Sequence, residues 1–559
     1  MLPGMDATQT RPIDESYPGG SFVGDDPSRL PTIPGNEGES PNLAGEDKSD
    51  AYFELAGAML PRWWRVLAAA PSVLVRKRPS SQARGLFHTT AAALASTLWS
   101  ESRSEDPLRR WLTGSIETAL VGWQLSHGGD GVPRSRHLRR DSLTVASTYH
   151  VVLLLGESSR FQTTLLLNDL GAHLGWLCSL GSFPPWIEAR IVASLAGGGV
   201  LLRDAKLIEM AKARAALLCG SDGVAEWMKP QNGGDLSLLC ATLDPLAYIY
   251  SLHRWEFLRP LLASILGVLG SSVDRTGALG GLRNVLRLAF PLPFGIETLV
   301  RHGVRCEQLA ASCREAAARV DTRVLLSWGE DLVAMVGPSA TMCAVAGAPG
   351  YRPDACDVNE PRGTSIDRLD TGISSYKTAA YDALVDGRRG GLIRIHWAES
   401  GHSQEDHGIR AVFGDTSLTS ESQTVARFEA GKSTEMIISG AFAADRGQTP
   451  CGLAAASRSR VPIPHTARRW FGLRTSGDRY TRRIVFEPAR VTISDSFRLR
   501  RVAELVLVGA SELEDHPGRF GENRFHDSSI DALVLEGVSH AKVTRVFEHG
   551  RLVRRHIGR

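Results

Sequence analysis

The hydrophobic period of this chain changes once, and that change sets what it can fold into. From Ala51 to about Val320 apolar residues recur at helical spacing, beginning with Phe53, Leu55, Ala58, Leu60 and Trp64 in Ala51–Val73. Further helices are predicted at Gly85–Trp99, Pro107–Leu125, Asp141–Leu155, Thr163–Leu180, Pro185–Leu195, Arg203–Leu218, Leu236–Leu252, Trp255–Leu269, Phe294–His302 and Glu307–Arg319. Gly-, Pro- and Ser-rich breaks separate several of them, including Gly181–Pro185 and Gly197–Gly199. After about Asp321 the period falls to two. Short strands are predicted at Arg323–Ser327, Asp331–Val336, Leu392–Trp397, Thr424–Phe428, Glu435–Ile438, Arg482–Phe486, Arg490–Ile493, Glu504–Val508, Ala532–Leu535 and Ala541–Phe547.

Helices in this number are too many for a small bundle. A closed ring with one set of helices inside another buries their apolar stripes better. A solenoid array is the rival, but no fixed period of roughly 34–47 residues is visible. No helical pattern interrupts the strands, which excludes βαβ units and implies an antiparallel sheet. The predicted order is therefore a disordered tail over 1–50, an (α/α) toroid over 51–320 and an antiparallel β-sandwich over 321–559. The tail is rich in Pro, Gly, Ser, Asp and Glu and has too few large apolar residues to offset its ordering entropy.

Composition narrows the function. A hydrophobic fraction of 43% and a charged fraction of 22% are those of a globular chain, and a net charge of +3 calls for neither nucleic acid nor a membrane surface. The apolar runs Ile191–Leu202 and Leu261–Leu269 fall short of the roughly 20 residues of a membrane span. The amino terminus lacks a basic segment followed by an apolar one, so a cytoplasmic protein is expected. Eight scattered cysteines without a CxxC read as free thiols. There is no P-loop, no GxGxxG after a strand, no HExxH and no GxSxG.

Four polar clusters remain. Asn232, in Gln231–Asp235, precedes a helix that carries Tyr250, His253 and Arg254, with Tyr250 and Arg254 on one face. A helix capped by Asp235 with its tyrosines in the core is the competing reading. Trp123 and the basic stretch with Arg134 and Arg139 suit an anionic polymer, or else form a solvated loop. His402, Glu405, Asp406 and His407 have imidazole and carboxylate ligands at short spacing, read as a turn that either takes a divalent metal or is merely polar. Arg283, beside Asn284, offers a bidentate clamp for a carboxylate. Trp123, Trp227 and Trp255 lie near loops, where indoles can stack on sugars, although core filling is the default for tryptophan.

Two stretches carry a resemblance. Asp274–Gly281, followed by Arg283, Asn284 and Phe290–Glu297, resembles a toroid segment of bacterial heparinase II/III-like proteins. Asp370–Tyr376, Tyr381–Arg394 and Arg482–Phe497 resemble the hairpins of that family's C-terminal domain. The resemblance implies a polysaccharide lyase that cleaves a uronate-containing polymer by β-elimination, with no cofactor required beyond an optional divalent metal. Asn232 and Arg283 would neutralise the carboxylate, His253 or His407 would take the proton, and Tyr250 would be the acid or base partner. Arg134, Arg139, Arg254, Trp123, Trp227 and Trp255 would hold the glycan. Gly401–Gly408 has two histidines and two carboxylates but not the family's spacing. A catalytically decayed protein that binds glycans or partners during polysaccharide assembly is therefore the alternative, and a glycoside hydrolase on the same toroid is a second one.

Overall fold

The protein is described by a computed structural model covering residues 50–69, 79–101, 106–134, 138, 142–220, 224, 227, 236–279, 288, 290–320, 325, 328–346, 367–368, 372–387, 390–401, 403–413, 416–419, 427–430, 434–444, 475–513, 533–549 and 551–558. Helical spacing becomes helix nearly everywhere it was predicted. Among the described residues the helices are α1 (Asp50–Ala68), α2 (Pro79–Glu101), α3 (Asp106–Leu125), α4 (Ser142–Glu157), α5 (Thr164–Cys178) and α6 (Pro185–Leu202). They continue as α7 (Ala205–Gly220), α8 (Leu236–His253), α9 (Arg259–Ser272), α10 (Pro293–Arg301), α11 (Glu307–Ala318) and α12 (Glu330–Ala346). Local chemistry sets several ends: the Thr163 hydroxyl accepts from Leu166 N at 3.2 Å to cap α5, and Pro185 and Pro293 open α6 and α10.

Alternate helices are buried on all sides. In α6 every residue from Trp186 to Gly199 is buried. The six buried helices contact one another in a closed order, α2–α4–α6–α8–α10–α12, with α12 returning to α2. The remaining six lie outside them, and buried residues from all twelve join one apolar cluster. Inner and outer helices alternate along the chain. Each outer helix runs back, so the inner six point the same way and their amino termini gather at one end.

Two predictions fail here for identifiable reasons. Gly197–Gly199 is not a break, because α6 continues through it. A Cβ on Gly197 would lie 2.8 Å from both Tyr248 Oη and Val152 Cγ1, and one on Gly199 would lie 2.7 Å from Ile208. These glycines let three helices approach α6, and tertiary contact overrides their low helix propensity. Likewise the strands predicted at Arg323–Ser327 and Asp331–Val336 fail: Leu325 is helical and 331–336 is part of α12, so helix extends well past residue 320. Alternation over six residues does not distinguish a strand from a helix buried on every face.

The strands are β1 (Asp367–Arg368), β2 (Ile373–Lys377), β3 (Tyr381–Asp386), β4 (Leu392–Trp397), β5 (Ser403–Phe413), β6 (Thr416–Thr419), β7 (Arg427–Ala430), β8 (Glu435–Ala444), β9 (Thr475–Glu487), β10 (Arg490–Leu513), β11 (Leu533–Glu548) and β12 (Arg551–Gly558). All pairings are antiparallel and all belong to one hydrogen-bonded sheet. Strand β10 joins its parts: Arg490–Arg498 pairs with β9, and Glu504–Leu513 pairs with β5. Alternate side chains of β2–β4 and of β8–β11 share one apolar core.

A buried four-membered charge network lies against that core. Arg482 reaches Asp495 at 2.7 Å and Asp406 at 2.9 Å, and Arg545 reaches the same two carboxylates at 2.6 and 2.5 Å. Burial alone would push the Asp406 carboxyl up, but Arg482 and Arg545 hold it below the usual carboxylate range.

Gly197→Val should lower stability by about 1–3 kcal/mol through overpacking. A urea titration followed by circular dichroism checks this, and an unchanged midpoint would refute the close approach as the reason for the glycine.

Candidate functional site

The helices and the sheet meet at the end where the inner helices begin. The loop after α9, Val273–Leu279, closes on itself as an isolated bridge. Asp274 Oδ1 accepts from the backbone N of Thr276 and Ala278 and from the Thr276 hydroxyl, at 2.9, 3.1 and 2.6 Å. Gly277, at φ 80°, occupies a position where a Cβ would stand 2.0 Å from the Ser312 carbonyl oxygen. Held this way, the loop presents Arg275 to the sheet. Its Nη2 and Nε donate to the two oxygens of Asp382 at 2.8 and 3.2 Å, and Nη2 also donates to Thr378 O. Lys377 Nζ donates to Val273 O at 2.9 Å, and Arg394 Nη1 donates to Leu279 O at 3.2 Å.

Strand alternation explains why these groups meet the loop. Ile393, Ile395 and Trp397 point into the sheet's apolar core, which turns Leu392, Arg394 and His396 toward the helices. Register extends this face sideways, with Lys377 opposite Asp382, Asp382 opposite His396 and His396 opposite Ser403. The next row brings Ser375, Leu384, Arg394 and Glu405 together. His396 Nδ1 lies 3.0 Å from Ser403 Oγ, while Arg394 stands 3.4 Å from Asp274 and 3.9 Å from Glu405. At the same end of the ring Arg84 and His88 face Asp331 at the start of α12, at 3.4 and 2.8 Å. Burial would lower the His88 pKa, but Asp331 and Glu330 raise it overall.

Tyr250, His253, Arg254 and Trp255 do come together, at the other end of α8. Tyr250 donates to Glu256 Oε1 at 3.3 Å, and Arg254 stands over the tyrosine ring and donates to His302 Nδ1 at 2.6 Å. His253 stacks on Trp255 with ring centroids 4.9 Å apart, and burial lowers its pKa. Tyr250 is fourteen residues beyond Leu236, about 21 Å along the axis. Tyr250 and the β5 stretch with Glu405 and Asp406 therefore do not line one cleft. A helix length separates them.

Other expectations need correction. Trp123 is completely buried and Trp227 is 8% exposed, so neither has a face to offer a sugar. The Arg134 Nε donates to the His127 carbonyl at 2.7 Å and thereby helps close its own loop. Residues 403–407 belong to β5 and not to a turn; there Glu405 faces Arg394 and Asp406 faces Arg482 on the opposite side. Two carboxylates on opposite faces of a strand cannot share one ion, and no group of three potential ligands occurs among the described residues. Asn232, Arg283, Arg139 and His402 lie outside the described residues, as does the side chain of His407.

Sequence reasoning missed Arg275, Asp382 and His396. Leu-Ile-Arg-Ile-His-Trp in β4 alternates strictly, and its polar positions were legible as one face, but nothing local said that the face meets the helices. It also missed a small interior cavity inside the ring, lined by Tyr149, His150, Arg190, Asp244 and Ser339 among others. Burial pushes the Asp244 carboxyl up to about 6 and the His150 imidazole down to about 3.

Similarity to known proteins lies in the fold. No family model matches the chain, and no curated protein matches it. A Paenibacillus xanthan lyase structure superposes with a TM-score of 0.50 at 10% identity, covering 90% of this chain and 52% of that one. This chain thus spans about half the length of that enzyme. The Streptomyces coelicolor A3 chondroitin AC lyase, solved in complex with chondroitin sulphate, gives a TM-score of 0.47 at 10% identity, covering 84% and 69%. The chain has a polysaccharide lyase-like fold.

Two predictions follow from this geometry. Arg275→Ala should cost about 1–3 kcal/mol, and a double-mutant cycle with Asp382→Ala should show coupling of at least about 0.5 kcal/mol; strict additivity would count against the pair as the clamp. The second concerns His127, whose pKa burial lowers to about 4 although its Nδ1 donates to Trp123 O at 2.7 Å. Both His127 and His150 titrate lower folded than unfolded, so the stability they contribute is present above about pH 6.5 and is lost as pH falls toward 4. Asp244 and His88, raised in the fold, work in the opposite direction and offset part of this loss. Urea midpoints measured between pH 7.5 and 4.5 should fall, and His127→Asn should flatten the fall; an equal slope in the variant would refute the assignment.

Proposed function

We propose that this chain is a polysaccharide lyase-like protein of the heparinase II/III type, an (α/α) toroid joined to a β-sandwich, acting by β-elimination on a uronate-containing polysaccharide or oligosaccharide. The observation that carries the reading is the polar sheet face, with Arg394, His396 and Glu405, turned toward the end of the ring where six helix amino termini gather. Aligned helix dipoles make that end favourable for a carboxylate. The xanthan lyase fold supports the same reading.

β-Elimination needs a group that neutralises the uronate carboxylate, a base for the C5 proton and an acid for the departing 4-oxygen. Asn232 precedes α8 and Arg283 precedes α10 in the chain, and both helices begin at this end. They are assigned to the carboxylate. His396, on the facing sheet, is assigned both proton steps, taking the C5 proton and returning it to the departing 4-oxygen as the C4–O4 bond breaks; His407 is the other candidate for this role. His253, at the far end of α8, is assigned with Arg254 and Trp255 to glycan binding instead, and Tyr250, buried beneath Arg254, is assigned to positioning that guanidinium. No cofactor is required by this chemistry.

The separation of Tyr250 from the sheet favours a second reading, in which the protein binds acidic glycans without cleaving them. One experiment separates the two. The full chain is incubated with chondroitin sulphate, xanthan, heparin and alginate, and the ultraviolet absorbance of the unsaturated product is followed. Turnover with one polymer, reduced about 100-fold or more by His396→Ala, is expected. Silence across the panel, with retained binding, would replace the lyase by the binding protein.

A further inference from the structure

The sheet has a second charged face, on the strands β9–β12 and directed away from the shared apolar core. Along β10 the interior residues Val491, Ile493, Phe497 and Leu499 alternate with Arg490, Thr492, Ser494, Ser496, Arg498 and Arg500 on the outside. Register places Arg479 of β9 directly opposite Arg498, and Arg498 directly opposite His540 of β11. The next row reads Thr481, Ser496 and Lys542.

Arg479, Arg498, Arg500, His540 and Lys542 are all exposed. Among the described residues none of these side chains has a hydrogen-bonding or ionic partner. Among the described residues the acids on this face are at its other end, where Glu435 holds Arg483 at 2.7 Å and Glu487 and Glu548 hold Arg490. Like charges directly opposite each other across strands destabilise a sheet. Folding alone gives no reason to set Arg479 against Arg498 with no partner among the described residues; an anion lying across the strands does.

We infer that this face is an accessory docking surface for an anionic polysaccharide chain, separate from the helix–sheet junction. The choice of polysaccharide rests on the function proposed above. The face itself supports it in two ways. The hydroxyls of Thr481, Ser494, Ser496 and Thr544 share these rows; Thr481 meets Ser439 at 3.2 Å, Ser494 meets Thr544 at 3.1 Å and Ser496 donates to Thr481 O at 3.4 Å, and each keeps lone pairs that can accept from sugar hydroxyls. No aromatic side chain lies in these rows, since Tyr480, Phe486 and Phe497 point into the core, so the stacking that holds single-stranded nucleic acid is lacking.

Fluorescein-labelled chondroitin sulphate, alginate and xanthan fragments, titrated with the full chain and read by anisotropy at low and moderate salt, test the inference. Binding should weaken with salt. The triple variant Arg479→Ser, Arg498→Ser, Lys542→Ser should lose about tenfold or more in affinity and show a shallower salt dependence. The control Arg483→Ser, Arg490→Ser, which removes cations already paired, should bind like the parent. Thermal melts by circular dichroism confirm that both variants fold. Turnover of a short oligosaccharide, where present, should be unchanged in the triple variant, and its absence would bear on the lyase reading alone, because the binding assay does not depend on it. The inference is overturned if no polymer binds, if the triple variant keeps parental affinity, or if a single-stranded oligodeoxynucleotide of equal charge binds as tightly as the polysaccharide.

Discussion

The grip of the Val273–Leu279 loop on the sheet is the contact on which the functional geometry depends. Arg275 spends its whole guanidinium on Asp382 and the carbonyls of Ala379 and Thr378, and Asp274 both shapes the loop and faces Arg394. Guanidinium and carboxylate match in planar geometry, so the pairing fixes orientation as well as distance. Without it the polar rows of β2–β5 would have no defined relation to the ring. Apolar contact reinforces the grip, as Ile373, Leu384 and Leu392 join the helical core cluster.

A second constraint acts within the sheet. Arg482 and Arg545 bridge Asp406 of β5 and Asp495 of β10, tying the two strands that change partners. Two cations and two anions balance there, which is the condition under which buried charge is tolerable. The network also explains why Asp406 is unavailable to a metal or a substrate. Desolvation offsets much of the attraction in such a network, while removal of any one member would leave a buried charge unbalanced.

The acids and bases that first attract notice in the sequence divide along these lines. Tyr250, His253, Arg254 and Trp255 are close in sequence and remain close in space, since one helix end and the turn after it hold them. Glu405 and Asp406 are adjacent in sequence and end up facing opposite ways, since a strand separates neighbours by half a turn. His396 drew no notice, yet it shares a row with Lys377, Asp382 and Ser403. The basic rows of β9–β12 were similarly invisible, because Arg479, Arg498 and Lys542 come from three strands that only pairing brings together.

Period alone determined that the first part of the chain is helical and the later part antiparallel strand, because burying one face of a helix or strand leaves its mark at 3.6 or 2 residues. It also placed most helix ends, where Thr163, Pro185 and Pro293 act on their own neighbours. Tertiary structure decided that Gly197–Gly199 stays helical, that 331–336 is helix, and which polar residues face one another. Those outcomes depend on partners distant in the chain, namely Tyr248 and Ile208 against the glycines, the ring around α12 and the Arg275 loop against the sheet. Local residues carry no record of what will pack against them.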